Sequence, residues 1–167
     1  MTGSLPFDHL LAYRDQETAR WAALFEKHPQ ALAVACDIAS TKDVAGLVYH
    51  IFAVERLHTE RLLEVPTTPI EMGRPPEFDN WAALSGLQND ARAKIAQFHA
   101  KASDAELDKV MTIQTRSAGA VTMSKRKLFG HLLIHGARHW AQLAPLLRQA
   151  GFKQDWLHDF LFTEAVK

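Results

Sequence analysis

The chain has 167 residues, with Lys plus Arg and Asp plus Glu both at 19, so its formal charge at pH 7 is zero. That length makes residues 1–167 a single domain with one well-filled core, and nucleic acid is not an expected partner, because phosphate binding needs a concentrated basic face. Cys36 is the sole cysteine, which excludes an internal disulfide framework and fits a reducing compartment.

The first residues carry no basic region followed by an apolar run, and no stretch approaches about 18 consecutive apolar residues. A cytoplasmic protein without a membrane partner is expected. Residues 6–27 read as a first helix with Leu10, Leu11, Trp21, Leu24 and Phe25 on its apolar stripe, closed by His28-Pro29. A short apolar segment, 30–38, contains Cys36 in a packing environment. Ser40 or Thr41 then caps a second helix, 42–63, with Asp43 in its first turn.

PTTPIEMGRPPEFDN, with four of the seven prolines, is a long crossover loop. Asp79 or Asn80 starts a third helix reaching Lys101, its apolar positions Trp81, Leu84, Leu87, Ala91, Ile95 and Phe98 spaced by threes and fours. Ser103-x-x-Glu106 is a capping-box pattern. Val110 to Arg116 and Gly119 to Met123 suit a small β-hairpin. Ser124 caps the last long helix, whose Lys125-Arg126-Lys127 start is expected to be solvated, and Gly151 ends it. The tail DWLHDFLF reads as one more short helix, with Trp156, Phe160 and Leu161 covering the bundle. The expected fold is all-α: a four-helix bundle with a long crossover loop, a hairpin before the last long helix and a short C-terminal helix.

The most informative stretch is KRKLFGHLLIHGARHWAQLAPLLRQAG, where His131, His135 and His139 recur every fourth position. A step of four turns a helical side chain by roughly 40° and lifts it about 6 Å, so neighbours in the series can grip one ion. On the helical wheel His135 and His139 lie within the apolar stripe and His131 at its margin, which favours His135 and His139 as a pair. An imidazole in an apolar seam needs partners for its ring nitrogens, and a divalent metal supplies one. Hydrogen-bonded packing is the competing account of these histidines. On the second helix His50 borders the apolar face, and His58 lies about 12 Å further along, too far to serve the same ion.

Some metal constellations are excluded. A ferritin-like di-iron site needs two Glu-x-x-His motifs, and only Glu55-Arg-Leu-His58 is present, with no acid in 125–152. A zincin needs His-Glu-x-x-His, and this chain has His135-Gly-Ala-Arg-His139. What remains is a mononuclear site with one histidine from helix two and a His-x-x-x-His pair from the last long helix. Three neutral nitrogens leave a position open, as in a catalytic site, and do not distinguish zinc, nickel, iron and manganese.

His50 followed by Glu55, the spaced histidines of GHLLIHGARHWAQLAPLLRQAGF, and the intervening loop and hairpin resemble the DinB/YfiT-like superfamily over nearly the whole chain. The resemblance implies a four-helix bundle, often a homodimer, holding one divalent transition metal through His50, His135 and His139. It implies that His131 does not bind. Many members follow the last ligand with Arg-Gly-Gln, whereas this chain has Trp140-Ala141-Gln142.

The resemblance further implies a small-molecule enzyme that transfers or isomerises substrates with a low-molecular-weight thiol such as bacillithiol, mycothiol or glutathione. A metal-dependent hydrolase using metal-bound water and a non-catalytic metal- or ligand-binding bundle are the alternatives. Glu55 is the candidate catalytic carboxylate, near the apolar face of helix two. Arg138 is a candidate for orienting an anionic substrate, with Tyr49 and Gln142 behind it.

Overall fold

A computed structural model describes residues 6–70 and 73–164. Four long helices form the bundle: α1 (Phe7–Lys27), α2 (Val44–Leu63), α3 (Trp81–His99) and, after the one-turn helix α4 (Asp104–Leu107), α5 (Lys125–Gln149). Strands β1 (Val110–Thr115) and β2 (Gly119–Ser124) pair antiparallel between α4 and α5. Helix α2 packs against both α3 and α5, and α1 lies against α5 and α3. No described helix is long and apolar enough to cross a membrane.

The side chains that hold the helices together are those at helical spacing. Leu84, Leu87, Ala91, Ile95 and Phe98 are all buried on α3, so one face of that helix is committed to the core. Each long helix after α1 begins at a side-chain cap, which relieves an orphan N–H and contributes about 1 kcal/mol. Asn80 accepts from Ala83 N at 3.1 Å and Ser124 from Lys127 N at 3.2 Å. Ser103 does the same for α4, accepting from Glu106 N at 3.2 Å.

Three local expectations are corrected. The cap of α2 is Asp43, whose Oδ1 accepts from Gly46 N at 2.6 Å. Ser40 cannot fill that role because it sits in the left-handed region with φ 61°, inside the turn that carries the chain to Asp43. Lys125 is buried rather than solvated: its ammonium donates to Leu62 O at 3.1 Å and lies 3.0 Å from Glu64. The short C-terminal helix is present as a 3-10 turn, Phe160–Phe162, but Leu161 is 84% exposed and does not cover the bundle. Trp156 does cover the bundle, meeting Trp21 edge to face at 5.2 Å.

The interior is not uniformly apolar. One cluster gathers Trp21, Phe25, Leu47, Phe52, Trp140 and Leu143, and a second gathers Leu11, Leu62, Ile95, Phe98, Leu128 and Leu132. Beside them α1, α2 and α5 contribute buried polar groups: Arg14 and Thr18 from α1, Glu55 and Thr59 from α2, His135 and His139 from α5. A buried polar layer of this kind is stable only when its members find partners. Arg14 and Glu55 do so through a two-pronged ion pair, Nε to Oε1 at 2.7 Å and Nη2 to Oε2.

Candidate metal centre

The other partners in that layer are histidines. Step-of-four spacing on α5 stacks His135 and His139 on the face that meets α2, and α2 presents His50 opposite them. The rings of His50 and His135 are 5.1 Å apart, those of His50 and His139 5.2 Å, and those of His135 and His139 4.5 Å, centre to centre. One ring nitrogen from each of the three lies within 4.8 Å of the other two.

The chemistry of these nitrogens suits a divalent cation. Burial pushes the pKa of His50 down to about 4, helped by the neighbouring His139 and by Arg116 and Arg138. Burial likewise takes His135 down to about 2, with His139, His50, His131 and Arg138 adding to it. His139 is lowered by burial too, although its bond to Gln142 opposes the shift. All three are therefore neutral at pH 7, the state in which imidazole offers a lone pair.

Hydrogen bonding fixes which nitrogen does so on His139. Gln142 Oε1 lies 2.7 Å from His139 Nδ1 and accepts its proton, and the Nη2 of Arg138, which can only donate, lies 3.3 Å from Nε2. The lone pair of His139 is thus on Nε2, which faces His135 Nε2 at 3.2 Å. Two nitrogens each about 2.0–2.1 Å from one ion in a tetrahedral arrangement are roughly 3.3 Å apart. The donor set and its spacing fit a metal. The buried Nδ1 of His135 has no hydrogen-bond partner among the described residues.

The site opens to solvent. His50 and His135 line a cavity of about 1410 Å³ whose walls include α2, the hairpin, the Ala39–Asp43 loop and part of the crossover loop. Tyr49, buried and packed on Phe78 at 5.0 Å between ring centres, contributes to its floor.

The family model of the DinB family matches residues 1–165. The chain belongs to the DinB family. A search among curated proteins finds no match.

Within this DinB-family bundle the structure brings together His50, His135 and His139, the three ligands expected from the sequence. His58 stands apart from them further along the same cavity, and His131 lies between, its ring centre 5.6 Å from that of His58 and 5.6 Å from that of His135. Glu55 is not in the cavity wall. It is fully buried, clamped by Arg14, with its Oε1 only 2.9 Å from where a Cβ on Gly136 would stand. Gly136 is therefore required for α5 to pass this close to α2 with His135 in register.

Two contributors were not singled out as such from sequence. Gln142, ranked behind other residues, holds the ligand His139 in its tautomer, and its position three residues on from His139 was the available signal. Trp140, which follows the ligand His139, is buried and stacks on Trp21 at 5.6 Å with 16° between planes. The indole fastens α5 to α1 beside the ligand.

Proposed function

We propose that the protein is a metal-dependent enzyme acting on a small molecule, with one divalent transition metal held by His50, His135 and His139. The observation that carries this reading is that two of the three imidazoles open into a large cavity. A structural ion is closed off by its ligands, whereas a catalytic one keeps a reachable position. When bound, the metal lowers the pKa of a thiol or water that reaches it.

Within the possibilities this leaves, transfer or isomerisation with a low-molecular-weight thiol cosubstrate is the reading we adopt, on the resemblance noted from sequence. The protein's own residues supply the rest of the chemistry. Gln142 keeps the lone pair of His139 directed at the site. A thiol entering as a thiolate must give up a proton. His58 is engaged by Arg61 through Nδ1 at 3.3 Å, so the free acceptor on the same wall is His131, whose ring lies 5.6 Å from that of His135. Glu55, paired with Arg14 in the buried layer, orders the helices and does not act as a base. A cytoplasmic homodimer completes the proposal, since a reducing compartment keeps both Cys36 and a cosubstrate thiol reduced.

Elemental analysis of protein purified without a histidine tag tests the metal. Near one equivalent in the wild type, lost in His50→Ala and His139→Ala, supports the centre. The thiol step is tested by following conjugation of an electrophile such as monobromobimane in the presence of bacillithiol, mycothiol or glutathione. Turnover with none of the three above the rate of the metal-free protein would remove the thiol reading.

A further inference from the structure

Charge is distributed unevenly inside the cavity. Its walls carry Lys42, Arg61, Arg74, Arg116 and Lys127 against a single described carboxylate, Asp43. That carboxylate is already engaged, by Arg74 at 3.2 Å and by the amide of Gly46 at 2.6 Å. Among the described residues Arg61, Arg116 and Lys127 make no ion pair, unlike Arg14, Arg20, Arg74, Arg92 and Arg126. A chain of zero formal charge has gathered unneutralised cations along one concave surface, and such a surface concentrates anions.

The placement of two of these cations is specific. Arg61 is half-buried, and its Nη2 donates to Gln114 O on β1 at 2.9 Å while Nη1 donates to His58 Nδ1 at 3.3 Å. A guanidinium has no lone pair, so Nδ1 of His58 is the acceptor and the neutral ring carries its proton on Nε2. Arg61 thus fixes its neighbour as a hydrogen-bond donor. Arg116 lies on the turn between β1 and β2, in the wall of the same cavity, with no side-chain partner among the described residues. The wall also has apolar members, Val54, Leu57, Ile113, Val121 and Leu128.

We propose that the cavity binds a small molecule with an apolar body and an anionic head, carboxylate or phosphate, the head received by Arg61, Arg116 and the Nε2–H of His58 and the body directed toward His50 and His135. The eight residues of helix between His50 and His58 put the two ends on the order of 12 Å apart. A planar guanidinium offers either oxyanion two parallel hydrogen bonds, and the apolar wall favours a hydrocarbon spacer. The inference rests on reading the cavity as the substrate site but does not require the metal.

Calorimetric titration of the full-length, metal-free protein with four probes tests it: 4-phenylbutanoate, 4-phenylbutyl phosphate, neutral 4-phenylbutanamide and 4-phenylbutylammonium. Metal removal keeps a carboxylate from being captured by the ion. The expected result is at least one anion binding about tenfold or more tightly than the amide, with the ammonium weakest, and an affinity that falls with added salt. Arg116→Gln, an exposed side chain whose removal breaks no bond, is expected to weaken the anion by about five- to tenfold and leave the amide unchanged, and Arg61→Gln to act in the same direction. Whichever anion binds more tightly identifies the head group. Equal affinity for amide and anions, or wild-type anion affinity in Arg116→Gln, would overturn the proposal. Zinc uptake is measured separately on the same preparations. Charge discrimination without zinc uptake sinks the metal centre alone, and zinc uptake without charge discrimination sinks the anion site alone.

Discussion

Gln142 Oε1 accepts the Nδ1 proton of His139 at 2.7 Å, one turn of α5 beyond the ligand it orients. Partners of this kind fix the tautomer and ring direction of a ligating histidine, and removing them typically costs 10- to 100-fold in metal affinity. Gln142→Ala is therefore expected to bind zinc about tenfold or more weakly in competition with a chromogenic chelator. Gln142 is exposed, so its thermal midpoint should stay near that of the wild type. Unchanged zinc affinity would refute the role.

Arg138 works against the metal. Its Nη2 stands 3.3 Å from the Nε2 of His139, the nitrogen needed for coordination, so an incoming divalent cation meets a fixed positive charge. Arg138→Gln should raise zinc affinity by several-fold, most clearly at low ionic strength, where the exposed guanidinium is least screened. A fall in affinity would instead show that Arg138 supports the site.

The Arg14–Glu55 pair predicts a separation between stability and metal content. Both side chains are 1% exposed, so Glu55→Gln leaves a buried guanidinium short of its main counter-charge, relieved in part by Asp15 at 3.1 Å. Breaking a buried pair from one side costs about 3 to 5 kcal/mol. Urea denaturation should show a loss of that order, while folded Glu55→Gln keeps its full metal complement. Full stability with abolished turnover would make Glu55 a base after all.

Gly136→Ala tests how closely α2 and α5 are apposed. The new methyl would stand 2.9 Å from Glu55 Oε1, an atom already held by Arg14 and unable to swing away. Overpacking of this sort costs about 1 to 3 kcal/mol. It should also spread the His50 to His135 separation and lower metal affinity, both readable in one thermal-shift series with and without zinc.

The pH dependence of the metal-free protein has a definite sign. Burial, then Arg61 and His131, lower the pKa of His58 from 6.5 to about 4. Between those values the unfolded chain binds the extra proton and the folded one does not, so stability rises with pH across the interval. The contribution is complete above about pH 6.5 and is lost as pH falls toward 4. His58→Asn should flatten the stability profile between pH 7 and 4.5 measured by urea unfolding. His50 and His135 act with the same sign, so some slope remains in the variant.

What could be read from the sequence follows the range of the interactions. Leu84, Leu87, Ala91, Ile95 and Phe98 announce α3 because their spacing is a property of the helix itself. His135 and His139 are legible for the same reason, and Gln142 is reachable by extending the count one turn. Arg14 and Glu55 are 41 positions apart, and no local pattern joins them. Lys125 looks solvated in a run of three basic residues, yet the fold brings Leu62 O, 63 positions away, to its ammonium. Asp43 displaced Ser40 and Thr41 as the α2 cap because the left-handed turn at Ala39 and Ser40 sets where the helix begins. The cavity's uneven charge was hidden by a balanced total, since composition does not say which cations a hairpin will carry to one wall.

The stack of Trp140 on Trp21 gives the protein a built-in optical probe. Two indoles 5.6 Å apart and 16° from parallel couple their electronic transitions, and one of them is joined by a peptide bond to His139. Any tilt of α5 that accompanies ion capture changes that coupling. Near-ultraviolet circular dichroism can then follow loading of the centre in unlabelled protein, even with a spectroscopically silent ion such as zinc.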